Sequence, residues 1–192
     1  GNFLDLKYKK SYTTIRFEND QFENKKISPF DNFLKKYGAM YRFDWFFLAS
    51  LSFQESRFNQ KLVSKAAAVG VFQVKESTAR EPYVDIFPIR GEKNLENNIH
   101  AGVKYLSWIK KSFFDPIKKM REKDRFRFSL AAYNAGPSRV IRAMKLTKKK
   151  GLDPNKWFRN VELTMIDMGF LEPVRYVSEI NKRYVAYQLL MK

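Results

Sequence analysis

With 192 residues, 44% of them hydrophobic and 16% aromatic, the chain can enclose one core without a second domain, and disorder over most of its length is excluded. The absence of cysteine and the single histidine, His100, exclude disulfides, thiolate metal sites and a histidine-based triad or metal centre, so no cofactor is expected. A net charge of +17 favours anionic partners: nucleic acid, an anionic membrane surface or a carboxylate-bearing polymer.

Residues 1–27 read as a linker or N-terminal arm, basic from Lys7 to Lys10, with Tyr12, Ile15 and Phe17 in a pattern that suits a short strand. A helical domain follows over 28–192. Ser28 and Pro29 supply an N-cap and a first-turn proline for a helix carrying Phe30, Phe33, Leu34 and Tyr37 and closed by Gly38. Asp44 caps the next helix, whose Trp45, Phe46, Leu48, Ala49, Leu51 and Phe53 are apolar nearly all round, as a buried central helix requires. Asn94 is predicted to cap a helix from about Leu95 to Phe113, with Ile99, Val103, Leu106 and Ile109 on one face. Further helices are predicted from Arg125 to Asn134, through Val140, Ile141 and Met144 after the Gly136-Pro137 break, near Asn155 to Leu163, and from about Val174 to Leu190. Lys148 to Gly151 reads as a loop. The fold class is mainly α, and no run of about 18 apolar residues is long enough to span a membrane.

The segment Gln54-Glu55-Ser56-Arg57-Phe58-Asn59 puts one carboxyl group at the end of the apolar helix, among aromatic residues. Apolar surroundings and the negative end of the helix dipole both disfavour an ionised carboxylate, so Glu55 is suited to holding a proton near neutral pH and giving it to a glycosidic oxygen. Taken alone, a helix-end Glu paired with Arg57 is the commoner arrangement. Ser64 and the tight-turn block Ala68-Val69-Gly70-Val71-Phe72-Gln73 follow it. Two more blocks lie downstream, Ala131-Ala132-Tyr133-Asn134-Ala135-Gly136-Pro137 and Glu172-Pro173-Val174-Arg175-Tyr176-Val177.

In order and spacing, these blocks resemble the transglycosylase SLT domain, the lysozyme-like catalytic module of bacterial lytic murein transglycosylases, and within it the membrane-bound F type. The resemblance covers roughly 28 to 188 and includes Asn97 to Leu106 in the middle. It implies a lysozyme-like helical fold of the goose-type lysozyme/SLT kind, with the catalytic Glu at the end of a central buried helix. It also implies peptidoglycan glycan strands as the substrate and a periplasmic or cell-envelope location, outer-membrane association coming through a segment outside this chain. In the F type the module follows a solute-binding-like domain, so an N-terminal regulatory domain is an expected partner, alongside an anionic membrane surface.

By the same resemblance, Glu55 is the single acid/base that cleaves between N-acetylmuramic acid and N-acetylglucosamine and leaves a 1,6-anhydro end. Ser64 and Gln73 bind substrate near the acetamido group, Tyr133 hydrogen-bonds the catalytic carboxyl, Asn134 orients its loop, and Glu172 and Tyr176 contribute an acidic group and an aromatic wall. The chain departs from the family pattern at Ala67, Val71-Phe72, Lys75-Glu76 and Pro173-Val174. Two alternatives stand beside this reading: a goose-type lysozyme-like hydrolase and a catalytically impaired wall-binding module. Nucleic-acid binding has only the charge in its favour, with no binding motif, and is not expected. Asp85 is a conceivable second carboxylate, although a solvated loop position explains it better. Trp108 and Trp157 could line a sugar groove or simply pack on helix faces. His100 reads as a packed or surface residue, and Lys118-Lys119 and Lys148 to Lys150 as solvated faces.

Overall fold

The computed structural model describes residues 26–191. Residues 1–25 of the expected arm, including the strand near Tyr12 to Phe17, lie outside them, and Ile27 at its end is fully buried. Two compact units are distinguished, one ending at Val103 and resuming at Glu179, the other spanning Lys104–Ser178.

In the first unit, α1 (Asp31–Tyr41) packs against α2 (Trp45–Ser56). Ser28 is not the N-cap of α1 and Pro29 lies before its first turn, since Phe30 takes the cap position without a side-chain cap bond. The approach to α1 is held instead by the Asp31 carboxylate, which accepts from the Ile27 and Ser28 amides and the Ser28 hydroxyl, while Ser28 Oγ accepts from the Phe30 amide. Gly38 does not close this helix. It sits inside it, where a Cβ would come within 2.8 Å of the Phe43 carbonyl oxygen, so its lack of a side chain serves a close approach. The helix instead ends through Arg42 in the left-handed region, at φ 61°. Asp44 caps α2 as expected, its Oδ1 accepting from the Phe46 amide at 2.9 Å. Phe47, Leu48, Ala49, Leu51 and Phe53 of α2 are all buried, which explains why this helix lacks a polar face.

A small antiparallel hairpin follows, β1 (Ala68–Val69) with β2 (Val74–Lys75), in the register Ala68 to Lys75 and Val69 to Val74. Next come α3 (Glu76–Arg80), a 3-10 turn at Glu92–Asn94 and α4 (Leu95–Ile109). Asn94 is not the expected cap. Its side-chain Nδ2 donates to the Arg90 carbonyl at 2.7 Å, and the chain enters α4 through the 3-10 turn.

In the second unit, α4 passes at Ile109 into a π-type turn, Lys110–Phe114, short of the predicted helix end. α5 (Glu122–Ala135) and α6 (Pro137–Lys149) meet at Gly136, whose φ of 87° lets Pro137 open the second helix. Lys148 and Lys149 complete the last turn of α6 rather than a loop, a place where the helix dipole favours cations. The helix predicted near 155–163 is a π-type turn, Trp157–Val161, because Phe158 is extended and Arg159 is left-handed; α7 (Glu162–Asp167) follows. α8 (Leu171–Leu190) begins before Val174, since Pro173 falls in the first turn, where an amide hydrogen is not needed. The core of this unit is centred on fully buried Phe114, Phe128 and Trp157, the last two edge to face at 5.5 Å. A buried Thr147–Thr164 hydrogen bond of 2.7 Å joins α6 to α7.

Late in α8, within the first unit, Tyr184 donates to Asp44 Oδ2 at 2.9 Å. Burial, followed by the hydrogen bond to the Asp44 carboxylate and its charge, pushes the phenol up to about 12. A phenol whose folded value is raised contributes stability that is complete below the unfolded value near 10 and is lost as pH climbs through about 12. Tyr184→Phe should therefore remove the latest-ionising component from an ultraviolet titration, and the stability difference between parent and variant should shrink between those two values.

Candidate active site

Glu55 stands half-buried in the last turn of α2, which ends when Arg57 turns left-handed at φ 52°. Its flanking serines, Ser52 and Ser56, are buried and share one acceptor, the Val71 carbonyl, at 3.0 and 3.1 Å. The Val71 amide in turn donates to Gln60 Oε1 at 3.1 Å, so both main-chain polar groups of Val71 are held by side chains.

A second clamp comes from α4. Asn98 is fully buried: its Oδ1 accepts from the Phe72 amide at 2.9 Å, and its Nδ2 donates to the Val69 and Ile89 carbonyls at 2.9 and 3.3 Å. Gly70 permits this approach, since its φ is +77° and a Cβ there would lie 2.3 Å from Asn98 Nδ2. Hairpin residues 69–72 are thus tied to the turn that carries Glu55. Sequence reasoning passed over Gln60, Asn98, Ser52 and Ser56; the available signal was a polar Asn among the apolar positions of a helix, four residues before a Gly.

Ser64 is half-buried, and its Oγ accepts from the Ala66 and Ala68 amides at 3.2 and 3.0 Å, which leaves its hydroxyl proton free of these two bonds. Gln73, at φ 47°, donates to the Leu62 and Gly70 carbonyls at 3.2 and 2.9 Å. Both side chains organise the loop that carries them. Lys75 is exposed on β2, and Asp85 is exposed on a loop, in keeping with its solvated reading. His100 stacks on Tyr37 at 4.3 Å and pairs through Nε2 with the Tyr41 hydroxyl at 2.8 Å, as a packed residue does.

Of the expected site residues, Glu55, Ser64 and Gln73 belong to the first unit, and Tyr133, Asn134, Glu172 and Tyr176 to the second. Within the second, Asn134 and Glu172 come together: the Asn134 amide donates to Glu172 Oε1 at 3.2 Å across 38 positions of sequence. Glu172 is exposed in the first turn of α8, whereas Tyr176 is buried one turn further on, at 6% exposure. Tyr133 is half-buried, its ring 5.3 Å from that of Tyr105. Trp157 is fully buried and packs in the core, which removes it from any sugar groove. No cluster of three His, Cys, Asp or Glu suited to a metal ion occurs among the described residues.

A family model, Transglycosylase SLT domain, matches residues 32–156, a stretch that contains Glu55, the hairpin and the Tyr133-Asn134 block. The chain belongs to the transglycosylase SLT domain family. Among curated relatives, this SLT chain is 31% identical over 177 residues to membrane-bound lytic murein transglycosylase F of Pseudomonas fluorescens, covering 85% of the chain and 35% of that protein. It is 35% identical over 114 residues to the protein of the same name from Pasteurella multocida, covering 59% and 22%. The chain thus spans about a third or less of the length of these relatives.

Among solved structures, the SLT chain resembles the 70 kDa soluble lytic transglycosylase of Escherichia coli with a TM-score of 0.64 and 24% identity, over 84% of the chain and 24% of that protein. It resembles an inactive mutant of the Pseudomonas aeruginosa lytic transglycosylase Slt with a TM-score of 0.61 and 21% identity, over the same shares. At these identities the likeness speaks to the fold, which is the lysozyme-like helical fold expected from the sequence.

Asn98→Ala would leave the Phe72 amide and the Val69 carbonyl without their buried partner. Unsatisfied buried groups cost about 1–3 kcal/mol each, so a destabilisation of about 2 kcal/mol or more is expected in urea unfolding. Faster hydrogen exchange at the Phe72 amide should accompany it.

Proposed function

We propose that this SLT domain is the catalytic module of a peptidoglycan lytic transglycosylase, with Glu55 as its single acid/base. The observation that carries this reading is the family match across 32–156, which takes in a half-buried Glu55 at the end of a buried helix. The names of the relatives support murein as the substrate. Residues 28–192 are read as one catalytic domain and 1–27 as an arm.

In this mechanism, the protonated Glu55 carboxyl gives its proton to the glycosidic oxygen as the bond from C1 of N-acetylmuramic acid breaks, so N-acetylglucosamine leaves with a free 4-hydroxyl. The 2-acetamido group of the muramoyl residue carries the positive charge that develops at C1. The Glu55 carboxylate then takes the proton of the muramoyl C6 hydroxyl as that oxygen bonds to C1, closing a 1,6-anhydro ring and restoring the acid. No water is consumed. A second catalytic carboxylate, which ordinary glycosidases need as nucleophile or water activator, is therefore unnecessary.

Ser64 and Gln73 are proposed as substrate contacts, with Tyr133 supporting the acid, and Asn134, Glu172 and Tyr176 completing the binding residues. Murein carries peptide carboxylates, which the net charge of +17 attracts, as it does an anionic membrane surface. The proposed location is the bacterial periplasm or cell envelope. Among the described residues, no helix is long and apolar enough to cross a membrane.

Mass spectrometry of the soluble products from purified murein tests this directly. The parent should release muropeptides one water lighter than reducing ones, and Glu55→Gln should lower the rate by at least ~100-fold, the usual contribution of a positioned acid/base. Reducing ends instead would identify a lysozyme-type hydrolase. Sedimentation with murein without any Glu55-dependent product would identify a wall-binding module.

A further inference from the structure

Two groups stand out among the aromatic side chains of the second unit. Phe114, Phe128 and Trp157 are fully buried and form its core. Tyr133, Tyr105, Trp108 and Phe113 are each only half-buried, yet they run in an unbroken row, with ring centroids 5.3, 6.0 and 5.5 Å apart in that order. Tyr105 and Trp108 lie three residues apart at the end of α4, with ring planes within 15° of parallel. Phe113 is brought to the row by the π-type turn, which puts its neighbour Phe114 into the core. Burial of apolar area favours drawing such rings fully inside. Four that remain partly open in one row, with successive ring planes at 50°, 15° and 86° to one another, line a surface for a ligand with apolar faces and polar rims.

We propose that Tyr133, Tyr105, Trp108 and Phe113 form an aromatic platform whose exposed faces and edges pack against the sugars of a glycan strand, extending substrate binding beyond the motif residues. The C–H groups on a pyranose face carry partial positive charge, and the faces of aromatic rings carry partial negative charge, so the two stack while the sugar hydroxyls stay in water. The ring-to-ring steps suit a polymer of linked six-membered rings. Tyr133 stands in the Ala131 to Pro137 block that the family match covers, so the platform is continuous with the candidate site within this unit. The inference rests on the glycan-cleaving reading for the nature of the polymer. Trp108 and Phe113 are assigned as binding residues and take no part in proton transfer.

The test is isothermal titration calorimetry in the Glu55→Gln background, which prevents turnover, with β-1,4-linked N-acetylglucosamine hexamer and dimer as probes. The hexamer should bind more tightly than the dimer. Trp108→Ala should weaken hexamer binding by ~10-fold, the loss of one stacked ring, and narrow the gap between the two probes, while Trp108→Phe keeps most of the affinity. Phe113→Ala, at the far end of the row, is the independent second variant, and thermal melts establish that each variant is folded. Hexamer affinity unchanged in folded Trp108→Ala and Phe113→Ala overturns the proposal, as does an absence of hexamer binding to the Glu55→Gln parent. Neither result bears on whether murein yields anhydro products, which is measured separately on the unmodified chain; release of reducing ends would revise the reaction and leave the platform standing.

Discussion

The main-chain N–H and C=O of Val71 are the groups on which the Glu55 end of the structure depends. A buried residue must have both its main-chain N–H and its C=O satisfied, and here neither is satisfied by regular secondary structure. Gln60 takes the amide, and Ser52 and Ser56, on either side of Glu55 in α2, take the carbonyl. The end of α2 and the hairpin connection therefore cannot move independently without orphaning a buried group. Asn98 adds a second fastening from α4, and Gly70 leaves room for it. A carboxyl that is to give and retake a proton at fixed atoms needs such a support, because small displacements of a reacting group are costly in rate.

The chemistry proposed for this SLT domain asks little of its inventory of titratable groups. Intramolecular attack by the substrate's own hydroxyl removes the need for a second carboxylate, a nucleophilic side chain or a metal. The sequence has no cysteine and one histidine, and that histidine is engaged with Tyr37 and Tyr41 on the α1 side of α4. In the proposed reading, the polymer is held by means other than charge alone. Cations would draw an anionic wall to the surface without distinguishing one sugar from the next, a task that reading gives to hydrogen-bonding side chains and partly open rings.

Much of the fold was legible from local rules. Asp44 as a cap, the apolar circumference of α2 and the Gly136-Pro137 break each follow from the chemistry of one or two residues, and each stands where the sequence put it. The misreadings share a cause. Gly38 looked like a stop signal and serves a helix crossing; Asn94 looked like a cap and lies in a 3-10 turn; the segment after Asn155 had helical composition but contains a left-handed Arg159. In every case the decisive feature is a close backbone approach or a turn set by packing. A local pattern carries no information about either.

By itself, the sequence determined the helical class, the position of Glu55 at the end of an apolar helix and the blocks that mark the SLT family, because these depend on periodicity, capping and short contiguous motifs. Only the tertiary structure decided which polar residues hold the main-chain groups of Val71, that Asn134 meets Glu172, and that Trp157 is buried while Trp108 stays partly open. Those outcomes depend on pairings between segments far apart in the chain. A tryptophan has the same composition in a core and on a platform; its neighbours in space assign its role.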